Sequence, residues 1–135
     1  MARHFTVAEA NAMIPELTSL LEEMRSHGQQ LAAVHERSAQ VSRKLRGNGY
    51  HNPNEDTMVA ELAQSLQEDL QQGISRLNEW GIELKDLEAG LVDFPALREG
   101  RTVFLCWKLG EPEVAFWHEL TTGFAGRQPL DDQFA

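Results

Sequence analysis

Cys106 and His118 flank Glu111 and Glu113 in one short stretch, and Asp93 lies a little upstream. Thiolate, imidazole and carboxylate are the donors that hold zinc-type ions, and three of them with an open fourth position make a catalytic metal centre. The metal set read here is Cys106, His118 and Glu111, with Asp93 and Glu113 as further carboxylates; a divalent ion is the one cofactor candidate, and otherwise none is expected. No CxxC, HxH or HExxH spacing accompanies these residues, so the plain alternative makes Cys106 a small buried apolar side chain. A sharper version takes Cys106 as nucleophile, His118 as base and Asp93 as the group that orients the base. Against it, a mid-strand cysteine beside Trp107 lacks the helix N-terminus or strained turn that lowers a thiol pKa.

A second candidate uses the cations of the same stretch, DFPALREGRTVFLCWKLGEPEVAFWHELTTGFAGR from Asp93 to Arg127. Arg101 and Arg127, with Arg98 and Lys108 nearby, sit among large aromatics, where a guanidinium can grip a carboxylate or phosphate with two hydrogen bonds. A polar pocket of Asp93, Arg101, Glu111, His118 and Arg127 would then take a small anionic ligand, helped by backbone N–H groups of Gly123 to Arg127. The bland reading pairs Arg101 and Arg127 with Asp93, Glu111 or Glu119 inside the fold, and makes Trp107 and Trp117 core or interface anchors. His4, His27, His35 and His51 are scattered and carry no site.

These residues need a scaffold, and the pattern supplies one. Thr6 and Glu9 form a capping box, with Phe5 and Ala10 as its hydrophobic staple, so a helix starts at Val7. Val7, Ala10, Ile14, Leu17, Leu21, Met24, Gly28 and Leu31 recur by threes and fours, and Val34, Ser38, Val41 and Leu45 carry the stripe on to about Arg46. Pro15 inside this pattern predicts a kink between Asn11 and Pro15, two separate helices being the alternative. The turn-rich stretch Gly47 to Pro53 closes the helix. Asn52 then caps a second one, with Pro53 at its first position, a stripe from Val59 to Trp80 and Gly81 at its end. The pair predicts an antiparallel hairpin whose first helix overhangs the second.

After Gly81 the period changes to two. Ile82 to Val92 reads as one or two short strands leading to Asp93, with Pro95 ending the run. Thr102 to Leu109 is a strand by composition, Gly110 to Glu113 turns the chain, and Val114 to Leu120 is its partner. The tail from Thr121 to Ala135 reads as loop. The fold class is α+β: a long antiparallel helical hairpin and a small C-terminal antiparallel sheet of about three strands. Phe104, Cys106 and Lys108 face one side of that sheet, Val103, Leu105 and Trp107 the other, and Phe116 and His118 share a face. Apolar groups on both faces, together with the overhang, predict cover by a second subunit or a ligand.

The chain of 135 residues, 41% hydrophobic and 24% charged, suits one domain, a helical hairpin over 6–81 followed by a β-rich region over 82–130. A net charge of −9 opposes binding to phosphate backbones and anionic lipid, so no nucleic-acid or membrane partner is expected. One cysteine, no signal-peptide pattern and no apolar run of bilayer length predict a cytoplasmic location.

VDFPA, GRTVFLCWKLGEPEVAFWH and GFAGR, with FTVAEANAMIPEL near the start, resemble an uncharacterised prokaryotic domain-of-unknown-function family, DUF 2203. The resemblance covers nearly the whole chain. It implies a small intracellular bacterial or archaeal protein with Asp93, Phe94, Pro95, Arg101, Cys106, Trp107, Gly110, Glu111, Trp117, His118, Gly123, Phe124 and Arg127 at signature positions, and it attaches no role to them. Two functional readings stand together. One is a non-catalytic homo-oligomer, a dimer, that binds a ligand or partner through the polar pocket. The other is a metal-assisted hydrolytic enzyme using Cys106, His118 and the nearby carboxylates.

Overall fold

The computed structural model describes residues 3–48 and 53–134, with side chains over 3–40 and 54–134. Helix α1 runs Val7–Asn48 and α2 runs Pro53–Trp80. The turn expected over Gly47 to Pro53, with Asn52 as cap and His51 beside it, falls largely on 49–52, outside the described residues. At the start of α1 the capping box is reciprocal: the Thr6 N–H donates to Glu9 Oε1 at 2.9 Å and the Glu9 N–H to Thr6 Oγ1 at 3.1 Å. Two of the orphan donors of a helix start are met this way. The helix continues unbroken through Pro15, so the two-helix alternative is not what forms.

At the end of α2, Gly81 has φ 81°, its N–H donates to the Asn78 carbonyl and the Ile82 N–H to the Leu77 carbonyl, both at 3.0 Å. These are the two bonds of a Schellman turn, and Leu77 and Ile82 are both buried beside it.

The sheet has five strands rather than about three, β1 Glu83–Asp86, β2 Leu91–Arg98, β3 Arg101–Lys108, β4 Phe116–His118 and β5 Gln128–Pro129, in meander order. Two expectations change. Pro95 lies within β2 instead of ending it, paired with Phe104. It is tolerated because β1 pairs only with Leu91 to Asp93, which leaves that edge of β2 open from Phe94 onward. The Pro95 carbonyl points to this edge and accepts the Phe5 N–H at 2.7 Å, so the missing N–H removes no bond to β3. The tail also returns to the sheet as β5, where Trp117 pairs with Gln128, and Phe134 bridges to Arg98.

One face of the sheet and the helices share the core: Val92, Phe94, Ala96, Val103, Leu105, Trp107 and Trp117 cluster with Phe5, Ala10, Leu17, Leu21, Met24 and Leu77. The first turns of α1, which extend beyond the end of α2, are therefore covered by the chain's own sheet. Asn11 secures this contact by accepting the Val114 N–H at 2.7 Å. On the face opposite the core lie Asp93, Phe104, Cys106 and His118, all buried within the single chain.

Candidate functional site

Strand register decides which side chains meet. Asp93 pairs directly with Cys106 across β2 and β3, and Phe104 pairs with His118 across β3 and β4. Opposed residues share a face, so Cys106 and His118 are diagonal neighbours on the face away from the helices. One ligand atom each from Asp93, Cys106 and His118 lies within 4.8 Å of the others, the only such group of three or more among the described residues. All three are 1–2% exposed.

His118 is held at both nitrogens. Nδ1 is 2.7 Å from the Glu119 carbonyl oxygen, which can only accept, so Nδ1 carries a proton and donates it there. Nε2 is 3.0 Å from each Asp93 carboxylate oxygen. A lone pair facing two anionic oxygens at that range is repulsive, so a proton or a cation belongs between them. Burial pushes the Asp93 carboxyl above its ordinary pKa, against the opposing pull of the His118 hydrogen bond and of the His118 and Lys85 charges.

The Cys106 thiol is pushed up to about 12, first by burial and then by the Asp93 charge, with Arg127 pulling the other way. Such a thiol keeps its proton at neutral pH, and neither nitrogen of His118 is free to take it. The nucleophile reading therefore lacks its base. Metal ligation asks for a different arrangement. A ligating histidine commonly donates its second ring N–H to a backbone carbonyl, as Nδ1 does here. Bonds of about 2.0–2.3 Å at tetrahedral angles put zinc ligands roughly 3.3–3.8 Å apart, so donors within 4.8 Å of one another would close in by up to about 1 Å while the 3.0 Å contact of Nε2 with Asp93 opens.

The other candidate residues fall elsewhere. Glu111 accepts from Arg127 Nη2 at 3.1 and 2.8 Å and from the Lys108 N–H at 2.8 Å, which fixes it in the β3–β4 loop. That loop is closed further by Trp107 Nε1, which donates to the Glu111 carbonyl at 3.0 Å. Arg127 lies over the Phe116 and Phe124 rings, 3.9 and 4.8 Å from their centroids. Arg101 bonds Glu119, and Glu113 is exposed. The five residues Asp93, Arg101, Glu111, His118 and Arg127 are thus divided among three pairs, Asp93 with His118, Glu111 with Arg127 and Arg101 with a sixth residue, Glu119. Both arginines have the intramolecular partners of the bland reading. The Glu119 carbonyl that orients His118 could not be found from sequence, since every residue carries that group.

A family model described as an uncharacterized conserved protein (DUF2203) matches residues 3–130. No curated protein and no solved structure matches the chain.

Proposed function

The chain belongs to the DUF2203 family, described only as uncharacterized, and from the site itself we propose that it is a non-catalytic metal-binding protein. Asp93, Cys106 and His118 hold one zinc-class divalent ion between β2, β3 and β4. The observation that carries this reading is the setting of His118, with Nδ1–H anchored on the Glu119 carbonyl and Nε2 aimed at Asp93 beside Cys106. Mixed sulfur, nitrogen and oxygen donors select a borderline-soft cation over magnesium or calcium, which take oxygen ligands. The ion would take the place of the proton between Nε2 and Asp93 and displace the thiol proton. The hydrolytic alternative uses the same ligands with the fourth position open to substrate; near-complete burial of all three favours a closed role.

The test is metal content of freshly purified protein, followed by cobalt(II) titration of the metal-free form. About one equivalent of metal and a thiolate-to-cobalt charge-transfer band are expected, both lost in Cys106→Ala and in His118→Ala with the fold intact by circular dichroism. Wild-type protein that takes up neither zinc nor cobalt at micromolar concentration would reduce the cluster to a buried Asp–His pair with a packing cysteine.

A further inference from the structure

The core cluster reaches no further along the hairpin than Met24 on α1 and Leu70 on α2. Beyond it, α1 from Arg25 to Asn48 spans on the order of 35 Å, and the β1–β2 turn meets only its beginning, with Leu87 against Gly28. Further out, α2 exposes Met58 (68%) and Leu62 (49%), and these line a groove with Val59 and with Arg37 of α1. Two large apolar side chains on a two-helix ribbon are an unfinished packing surface.

Charge on this part of the hairpin is sorted by helix. From Gly28 to Arg46, beyond Arg25 at the β1–β2 turn, α1 carries four basic residues, Arg37, Arg43, Lys44 and Arg46, against one acid, Glu36. From Glu55 to Asp69, α2 carries five acids, Glu55, Asp56, Glu61, Glu68 and Asp69, and no base. Within one copy the two helices already attract, as Arg37 and Glu55 show at 3.3 Å.

We infer that this outer half of the hairpin docks a second copy of the same chain, α1 of each lying against α2 of the other around the Met58 and Leu62 groove. A partner of one charge sign would be repelled by half of this surface. A second copy related by a two-fold axis meets every basic stretch with an acidic one, because an isologous interface is self-complementary. Pairing α1 on α1 would oppose like charges, so charge selects the crossed arrangement. The result is a four-helix bundle in which neighbouring helices can all be antiparallel. One face of α1 about 35 Å long and of α2 about 25 Å long, each about 10 Å wide, offers roughly 600 Å² per copy, at the lower end of the standard interface range. The metal site lies on the sheet and takes no part.

Sedimentation of the full chain at about 10 μM should give a dimer, with the dissociation constant rising at least ~10-fold between low and high salt as the crossed charges are screened. Met58→Asp/Leu62→Asp should sediment as a monomer with an unchanged circular dichroism spectrum, since both side chains are exposed in the single chain. Cys106→Ala should dimerise like wild type. A wild-type monomer at about 100 μM, or a dimer that survives the double substitution, would overturn the inference.

Discussion

A carboxylate buried as deeply as Asp93 needs a proton, an imidazolium or a metal ion, and the consequences of removing its partner depend on which is present. In the metal-free protein His118 is the main partner of Asp93, beside the Cys106 thiol, so Asp93→Ala strands the imidazole Nε2 in an apolar setting. Urea unfolding in chelator should show a loss of about 3 kcal/mol for Asp93→Ala, against about 1–2 kcal/mol for Cys106→Ala, which removes the sulfur atom and its weak hydrogen bond to Asp93. Asp93→Asn still offers Nε2 a hydrogen-bond partner, now a neutral amide, and should fall between the two while still failing to hold the ion. Equal costs for Asp93→Ala and Cys106→Ala would mean that the pair contributes nothing beyond packing. Residue types alone point to Cys106 and His118 with a carboxylate, Glu111 first and Asp93 among the others, because sulfur, imidazole and carboxylate seldom gather in so apolar a stretch. They were not enough to exclude Glu111. That carboxylate is captured by the Lys108 N–H and the Arg127 guanidinium, a matter of loop geometry that composition does not express.

Elements were legible wherever their signals are local. The capping box at Thr6, the Schellman glycine at Gly81 and the sheet-proximal part of each apolar stripe, Val7 to Met24 on α1 and Leu70 to Trp80 on α2, depend on neighbours a few residues away and form as the pattern requires. Leu62, further along the α2 stripe, is exposed instead. Pro95 and the β5 strand were misread for the opposite reason. Whether a proline interrupts a strand depends on which edge has a neighbour, and Gln128–Pro129 is a strand only because β4 lies beside it. The cap has a pH signature. Glu9 has its carboxyl held below the ordinary range, first by the Thr6 backbone N–H and then by the Thr6 side chain. A depressed carboxylate pKa stabilises the fold above the unfolded-state value and loses that contribution as pH falls through the folded value. The stability difference between wild type and Glu9→Gln should therefore be present at neutral pH and shrink on acidification below about pH 4; a difference that grows in acid would contradict the cap. The β1–β2 turn makes a sterner demand. Gly90 has φ 70°, and a Cβ there would lie 2.4 Å from Leu109 Cβ, whereas at Gly100, φ 79°, it would meet nothing within 4 Å. Gly100→Ala should cost about 1–2 kcal/mol from backbone strain alone, and Gly90→Ala roughly 1–3 kcal/mol more from overpacking, read as the gap between their urea midpoints.

At the scale of the whole molecule, the two motives for a partner that the sequence suggested are met inside the chain. The sheet covers the overhanging turns of α1, and the second sheet face is buried at its centre around Asp93, Phe104, Cys106 and His118. No helix among the described residues is long and apolar enough to cross a membrane, so the exposed groove of the hairpin is not explained by a bilayer span. What remains exposed is the Met58 and Leu62 groove of the outer hairpin, and the weakness of a two-helix ribbon there has a measurable consequence. Opening free energies follow local burial, so amides of β2 and β3 should exchange only on global unfolding, while those of residues 32–40 and 58–64 should exchange through a smaller, local opening. Self-association raises both, the global opening because an unfolded chain cannot dimerise and the local opening of the outer hairpin because it is the docked surface. Raising the protein from well below to well above its dimer dissociation constant should stabilise the outer hairpin by RT ln(1 + [L]/Kd), about 2.7 kcal/mol at one hundred times Kd, and leave local openings elsewhere unchanged. Hydrogen exchange at the two concentrations, with Met58→Asp/Leu62→Asp as control, separates this from general crowding, which would protect wild type and the double variant alike. Protection gained at 32–40 and 58–64 and in the globally exchanging strands of wild type, with local openings elsewhere unchanged and no gain in the variant, is the pattern that a hairpin completed by its own copy must give.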